Sequence, residues 1–166
     1  AMVESLDPVV REVDAFAVHM EEDPLLRSTI VAVALFDTTP DWDVFVDRME
    51  RATRLAPSFR SLLVQPPLRL GPLRRVPDPD FDLSWHLRRM AAPAPHTLDE
   101  VLGFASTAGM TAFDVARPLW EFTLVEDLTD GRSALVMKVH HSLTDGIGGI
   151  QLAQHVVDLQ REAPEL

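Results

Sequence analysis

Residues 133–149 read SALVMKVHHSLTDGIGG. The apolar run 133–140 predicts a strand, and the apolar residues that recur over 147–159 predict a helix of about four turns. Side chains alternate between the two faces of a strand, so we expect His140 and His141 to diverge, one of them structural and the other exposed. A histidine titrates near neutrality, which suits a general base for a hydroxyl or amine nucleophile.

This segment admits other interpretations. A metal site built from His140, His141 and Asp145 is disfavoured, because adjacent histidines diverge and no further ligand follows at metal-binding spacing. A hydrolytic triad is disfavoured, because Ser142 follows a histidine directly and lacks a Gly-x-Ser-x-Gly turn. Taken one at a time, each of these residues is also compatible with a purely structural turn that Asp145 caps. Together, two histidines, an aspartate and three glycines at the end of one strand favour a functional site.

The rest of the chain alternates predicted strands and helices, which indicates an α/β fold. Residues 28–36 are β-branched and apolar on both faces, which predicts a central strand covered on both sides. The stretch 65–95 holds seven of the 13 prolines and predicts an extended excursion with short strands. The other predicted helices lie over 7–20, from Thr39-Pro40 to about Leu55, and over 97–108, the last with a capping box. A strand over 85–90 is predicted near an edge or a groove, and strands over 119–125 and 133–140 are predicted to be joined by a hairpin turn at 129–131.

The amino-acid composition excludes several classes of function. The chain has 166 residues, which is enough for one domain with a substantial core. It contains no cysteine, so disulfide frameworks, thiolate zinc sites and thiol nucleophiles are excluded. The longest apolar run, 30–36, is far shorter than the roughly 20 residues that cross a bilayer, and we expect a cytoplasmic protein.

Charge is unevenly distributed along the chain. Residues 48–89 hold nine arginines and four acids, a net charge of +5, although the whole chain has a formal charge of −11. This basic segment has two interpretations: a surface for phosphates or anionic membrane, or a solvated face paired with the acidic flanks. Nucleic acid is disfavoured as a partner, because the chain is acidic overall and the segment carries no recognition motif.

Two motifs resemble those of a known family. His140 to Gly146 fits the HHxxxDG motif of coenzyme-A-dependent acyltransferases and peptide-synthesis condensation domains, which share the chloramphenicol acetyltransferase fold. Arg117-Pro118-Leu119-Trp120, some twenty residues upstream, resembles the PLW motif of the bacterial wax ester synthase/diacylglycerol acyltransferase family. Phe81-Asp82-Leu83, His86 and Arg88-Arg89 also follow the order of that family.

The resemblance implies transfer of a long-chain acyl group from acyl-CoA, as co-substrate, to a fatty alcohol or a diacylglycerol, with no cofactor and no metal. His141 would be the general base, and His140 would support the turn. Asp145 would hold the loop through a buried ion pair with Arg117 or Arg27, and Gly146 would keep the channel open. Pro118, Leu119 and Trp120 are expected to pack in the core of an edge strand, in preference to direct contact with the substrate.

The resemblance also bears on architecture and partners. It implies a mixed sheet with flanking helices, in which residues 1–166 form the N-terminal, motif-bearing domain. Family members are more than twice as long, so a C-terminal half, or a second chain that carries it, is an expected partner, and the 166-residue chain alone is expected to have little activity. The water-insoluble substrates suggest peripheral contact with the inner face of the membrane or with lipid inclusions, through the basic segment and nearby leucines, with Arg74 and Arg75 as the test residues.

The sequence is also compatible with two alternative functions. The first is a condensation-like or polyketide-associated acyltransferase whose acyl donor is bound to a carrier protein. The second is a non-catalytic half-domain that binds a lipid or a partner chain. Chain length and the choice between alcohol and diacylglycerol are not predicted.

Overall fold

The computed structural model describes residues 28–143 of the chain. The predicted helices over 7–20 and 147–159 lie outside the described residues, as do Arg27, Asp145 and Gly146. Within the described part, no helix has the length and apolar character needed to cross a bilayer.

A four-stranded mixed sheet forms the centre of the structure. Its strands are β1 (Thr29–Phe36), β4 (Leu87–Ala91), β5 (Trp120–Glu126) and β6 (Ser133–His140), in the spatial order β1-β6-β5-β4. β6 is antiparallel to both of its neighbours, whereas β4 and β5 are parallel. The predicted β5–β6 hairpin and the predicted mixed sheet are confirmed. Within residues 28–143, β4 lies at an edge of the sheet, which is one of the two positions predicted for it.

The first strand differs from its prediction. β1 is apolar on both faces, but in the described sheet it lies at an edge and pairs with β6 alone. Val31 and Val33 pack toward one side of the sheet, and Ala34 and Phe36 pack toward the other. Burial on both faces therefore comes from the layers above and below the strand and does not require two neighbouring strands.

Among residues 28–143, one helix covers each face of the sheet. α1 (Trp42–Leu55) places Phe45 and Met49 in the larger core cluster, and α2 (Leu98–Met110) places Val101 and Ala105 in the smaller one. α1 begins later than predicted. Its N-cap is Asp41, whose Oδ1 accepts the Val44 N–H at 3.0 Å, and not Thr39.

The start of α2 is as predicted. The Glu100 carboxylate accepts the backbone N–H of Thr97 at 2.8 Å and also its hydroxyl. These bonds, led by that of the hydroxyl, lower the pKa of Glu100. The predicted capping box thus fixes the first turn of the helix.

A second, two-stranded sheet occupies part of the proline-rich excursion. It is an antiparallel hairpin of β2 (Ser61–Val64) and β3 (Arg74–Pro77), in which Leu63 lies opposite Arg75. Leu63 is partly buried against the larger core cluster. The hairpin therefore packs on the same side of the main sheet as α1.

Candidate active site

The two adjacent histidines lie where β6 ends. His140 is the last residue of the strand and is 0% exposed, whereas His141 begins a short 3₁₀ turn (His141–Leu143) and is exposed. The side chains differ in burial as strand alternation predicts. His141 therefore presents an imidazole to solvent from a backbone that is anchored in the core.

His140 holds the turn by a local hydrogen-bond arrangement. Its Nδ1 accepts the backbone N–H of Ser142 at 3.1 Å and lies 2.8 Å from the Ser142 hydroxyl oxygen. Because a backbone N–H can only donate, Nδ1 is the acceptor and the ring proton is on Nε2. The ring also meets the Phe113 ring edge to face, with centroids 6.2 Å apart.

Three backbone groups tie this turn to distant parts of the chain. The His140 N–H donates to the Leu119 carbonyl at 3.0 Å, and the His141 N–H donates to the Ser28 carbonyl at 2.8 Å. The Ser142 carbonyl accepts a bond from Nη2 of Arg75 at 2.9 Å. The turn is thus fixed by the residue before β1, by the residue before β5 and by β3.

Lys138, the only lysine in the sequence, lies two residues before His140 and is buried. Its Nζ donates to the carbonyl of Thr111, the C-cap of α2, at 2.7 Å and lies 4.3 Å from the centroid of the Phe113 ring. A cation at a helix C-terminus is favoured by the helix dipole, and one above an aromatic face by the ring quadrupole. Lys138 therefore joins the end of α2 to the strand that carries the histidines.

Trp120 is fully buried, and both its indole N–H and its backbone carbonyl have polar partners. Its Nε1–H donates to the Phe59 carbonyl at 2.8 Å, and its own carbonyl oxygen lies 2.7 Å from Nδ1 of His86. The His86 ring is stacked between the rings of Trp120 and Phe81, whose centroids lie 4.5 Å and 5.3 Å from its own. Burial lowers the pKa of His86, so this ring stays neutral.

The segment 118–120 packs in the core, but not in an edge strand as expected. β5 lies between β4 and β6 in the described sheet, and Pro118, Leu119 and Trp120 are all buried. Alternation and apolar content do not distinguish an interior strand from an edge strand, so its position was not available from the sequence. The Leu119 carbonyl accepts from His140, so this segment directly supports the histidine turn.

Arg117 has partners within the described residues. Its Nε lies 3.4 Å from Oδ2 of Asp114, and its guanidinium lies 3.8 Å from the centroid of the Trp85 ring. Asp145 and Arg27 lie outside the described residues, so the expected ion pair of Asp145 stays a prediction.

The basic segment is largely paired. Within residues 28–143, its arginines form ion pairs that include Arg51–Asp47, Arg54–Glu50, Arg60–Glu50, Arg88–Glu121 and Arg89–Glu126. These contacts favour the solvated, paired interpretation for most of the segment. In the same described range, no group of three His, Cys, Asp or Glu side chains is placed to hold a metal ion.

Sequence reasoning identified the histidine turn but missed Arg75 and Lys138 as parts of it. Lys138 was given no role, and Arg75 was expected only to test membrane contact by the basic segment. Their partners lie 67 and 27 residues away along the chain, so no local pattern links them.

Comparisons with known proteins find relatives that are named acyltransferases. The family model described as wax ester synthase/diacylglycerol acyltransferase catalytic domain matches residues 10–166. A Mycobacterium tuberculosis H37Rv protein that carries the name of a diacylglycerol O-acyltransferase is 44% identical over 144 residues, which cover 87% of this chain and 29% of that protein. This chain therefore spans less than a third of the length of that relative.

Solved structures agree at the level of the fold. The wax ester synthase/diacylglycerol acyltransferase of Marinobacter aquaeolei VT8 superposes with a TM-score of 0.68 at 30% identity, over 89% of this chain and 37% of that one. The starter condensation domain of rhizomide synthetase RzmA superposes with a TM-score of 0.72 at 15% identity, over 93% and 39% of the two chains. At that identity the second match shows a shared fold alone.

Proposed function

The chain belongs to the wax ester synthase/diacylglycerol acyltransferase family, and from that membership we propose that it supplies the base-bearing part of an O-acyltransferase. The enzyme moves a long-chain acyl group from acyl-CoA to a fatty alcohol or a diacylglycerol. The observation that carries the proposal is the exposed His141 on a turn that the buried His140 holds from within.

In the proposed reaction His141 is the general base. The acceptor hydroxyl gives its proton to the imidazole as its oxygen attacks the thioester carbonyl, so a C–O bond forms. The C–S bond then breaks, and the imidazolium returns the proton to the departing sulfur, which leaves as coenzyme A thiol. The chemistry needs neither a metal nor an acyl-enzyme.

The other motif residues have supporting roles in this proposal. His140 sets the geometry of the turn, and Pro118, Leu119 and Trp120 pack beneath it. Asp145 holds the following loop through an ion pair with Arg117 or Arg27, and Gly146 leaves room for the substrate. None of these side chains is required to touch the reacting atoms.

The proposed enzyme has two halves. Residues 1–166 are its N-terminal domain, and a C-terminal half, on the same or a second chain, supplies the other wall of the pocket. The length of the relatives supports this, since the chain covers 29% of the 44%-identical protein and 37% of the Marinobacter structure.

Replacement of His141 tests the function. In the complete two-half enzyme, with palmitoyl-CoA as donor and hexadecanol or a diacylglycerol as acceptor, H141A should release thiol about 10²- to 10⁴-fold more slowly, because the general base is lost. The matched control is H96A, which removes a partly exposed histidine that follows β4.

Two outcomes contradict the proposal. An unchanged rate in H141A contradicts the role of the base, and absence of thiol release by the wild-type enzyme with either acceptor contradicts the reaction. A faster reaction when the acyl group is presented on a carrier protein would instead favour a condensation-like enzyme.

A peripheral contact with lipid also belongs to this proposal. The loop between β2 and β3 carries Leu68 and Leu70, which are 88% and 73% exposed. Beside Leu70 lies an apolar cavity of about 270 Å³, lined in part by Val64, Pro66 and Pro72. Exposed leucines in a basic segment support docking on an anionic lipid surface.

A further inference from the structure

Arg75 reaches from the small sheet to the turn that carries His141. Its Nη2 donates to the Ser142 carbonyl at 2.9 Å, and the two residues are 67 positions apart in the chain. A guanidinium bonded to a carbonyl forms a charge-assisted hydrogen bond, stronger than a neutral one. The contact thus joins β3, which lies outside the main sheet, to the residue that follows the proposed base.

The direction of the Arg75 side chain follows from the register of the hairpin. Arg75 lies opposite Leu63, and directly opposite residues in an antiparallel pair share a face. Leu63 packs against the larger core cluster, so that face is turned toward the main sheet. Arg74, the next residue along β3, is exposed. Of these two adjacent arginines, Arg75 is the one that the strand directs inward.

The bond completes the restraint on Ser142. The Ser142 N–H is held by Nδ1 of His140 and its carbonyl by Arg75, so both peptide groups of this residue have fixed orientations. The preceding peptide is held by the bond from the His141 N–H to the Ser28 carbonyl. The Cα of His141 lies between the peptide held by Ser28 and the peptide held by His140, and Arg75 holds the next peptide along the turn.

We propose that Arg75 is a positioning residue that orients His141 for proton transfer; this rests on the function proposed above. Arg75 touches no reacting atom. It fixes the peptide between Ser142 and Leu143, one peptide beyond the two that flank His141, and so holds the turn that carries the base. An error of about 1 Å in the position of a catalytic group can lower a rate by about 10²-fold.

The test compares R75Q, R75K and R132Q in the complete two-half enzyme with palmitoyl-CoA and hexadecanol. R132Q is the control, because Arg132 is an arginine at the opposite end of β6 that bonds the nearby Asp130. R75Q should lower kcat by about 10- to 100-fold and leave KM for palmitoyl-CoA within about twofold. R75K, which keeps a charged donor, should recover part of the loss, and R132Q should match the wild type.

Hydrogen–deuterium exchange of residues 139–143 gives a readout that needs no activity. Exchange should be faster in R75Q than in R132Q, with R75K in between. If the wild-type enzyme transfers no acyl group, the proposed function fails, whereas the exchange result still tests the contact. Equal kcat and equal exchange in R75Q and R132Q would overturn the inference, as would a raised KM with an unchanged kcat. If R75Q does not fold, a comparison of R75K with R132K tests the proposal by the same criteria.

Discussion

His86 is a neutral histidine held inside a stack of rings. It lies between Phe81 and Trp120, with its Nδ1 2.7 Å from the Trp120 carbonyl. A carbonyl can only accept, so Nδ1 carries the proton of the neutral ring. Burial disfavours the charged ring and lowers its pKa below the ordinary value of 6.5.

This pKa shift predicts a pH-dependent stability. Well above pH 6.5 the ring is neutral in both the folded and the unfolded chain, so the stabilising contribution is fully present. As the pH falls below 6.5, the unfolded state binds a proton that the folded state does not, and the free energy of unfolding decreases. H86Q, whose side chain does not titrate, should be less stable at pH 7.5 but should lose less stability between pH 7.5 and 5.5.

Urea denaturation at a series of pH values measures this difference. H96Q, at a partly exposed histidine, is the control for the loss of an imidazole. Parallel curves for wild type and H86Q would show that His86 does not carry the effect.

At the scale of the residue, the sequence supports predictions only over short distances. The alternation of side chains along β6 predicted that His140 and His141 would diverge, because that property depends on two adjacent positions. The contacts of Arg75 and Lys138 depend on where β3 and the end of α2 lie in space. No periodicity in a single sequence encodes those placements.

At the scale of the element, two glycines in α2 have opposite surroundings. A Cβ on Gly109 would lie 3.2 Å from Cγ2 of Val31 in β1, whereas a Cβ on Gly103 would meet no atom within 4 Å. Gly109 thus allows the helix to lie close to the strand, and Gly103 has no such packing role.

Alanine at these two positions should have different effects. G103A should raise the free energy of unfolding by about 0.5–1 kcal/mol, because alanine loses less conformational entropy in a helix. G109A should be no more stable than the wild type, because the Val31 methyl group must move and overpacking offsets the gain in helix propensity. Urea denaturation of both variants measures the difference, and equal gains would contradict the close approach of α2 to β1.

Helices, strands and turns were predictable where residues close together in the sequence determine them. The Thr97–Glu100 capping box located the start of α2, and the turn residues at 129–131 located the β5–β6 hairpin. The start of α1 was wrong by two residues, because Thr39 and Asp41 are both good caps and tertiary packing selects between them. In the described sheet, the edge position of β1 and the interior position of β5 depend on strand order, which the sequence of one strand does not determine.

At the scale of the whole molecule, the two motifs were enough to predict the family. The ion pairs and exposed apolar side chains of the surface were not predictable. Many arginines of the basic segment are paired with carboxylates, and the exposed apolar side chains of that segment include Leu68 and Leu70 at the hairpin loop. Contact with a lipid surface would therefore depend on these leucines as well as on charge.

Sedimentation with vesicles that contain phosphatidylglycerol tests this contact. The double variant L68S/L70S should bind at least about tenfold more weakly, because each buried leucine contributes about 1.5–3 kcal/mol. Binding should also weaken with salt, because screening reduces the attraction of the basic segment. L102S, at an exposed leucine of α2, is the control. Binding that changes with neither salt nor L68S/L70S would remove the lipid contact.

The bond from the His140 N–H to the Leu119 carbonyl also explains the spacing of the two motifs along the chain. Leu119 lies just before β5 and His140 ends β6, so the residues between them are one hairpin that leaves and returns to the same point. Their separation in sequence measures the length of that hairpin and not a chemical requirement. Insertions in the loop over 127–132 would lengthen the spacing in a homologue while leaving the two motifs side by side, so a search that demands a fixed distance between them would overlook such proteins.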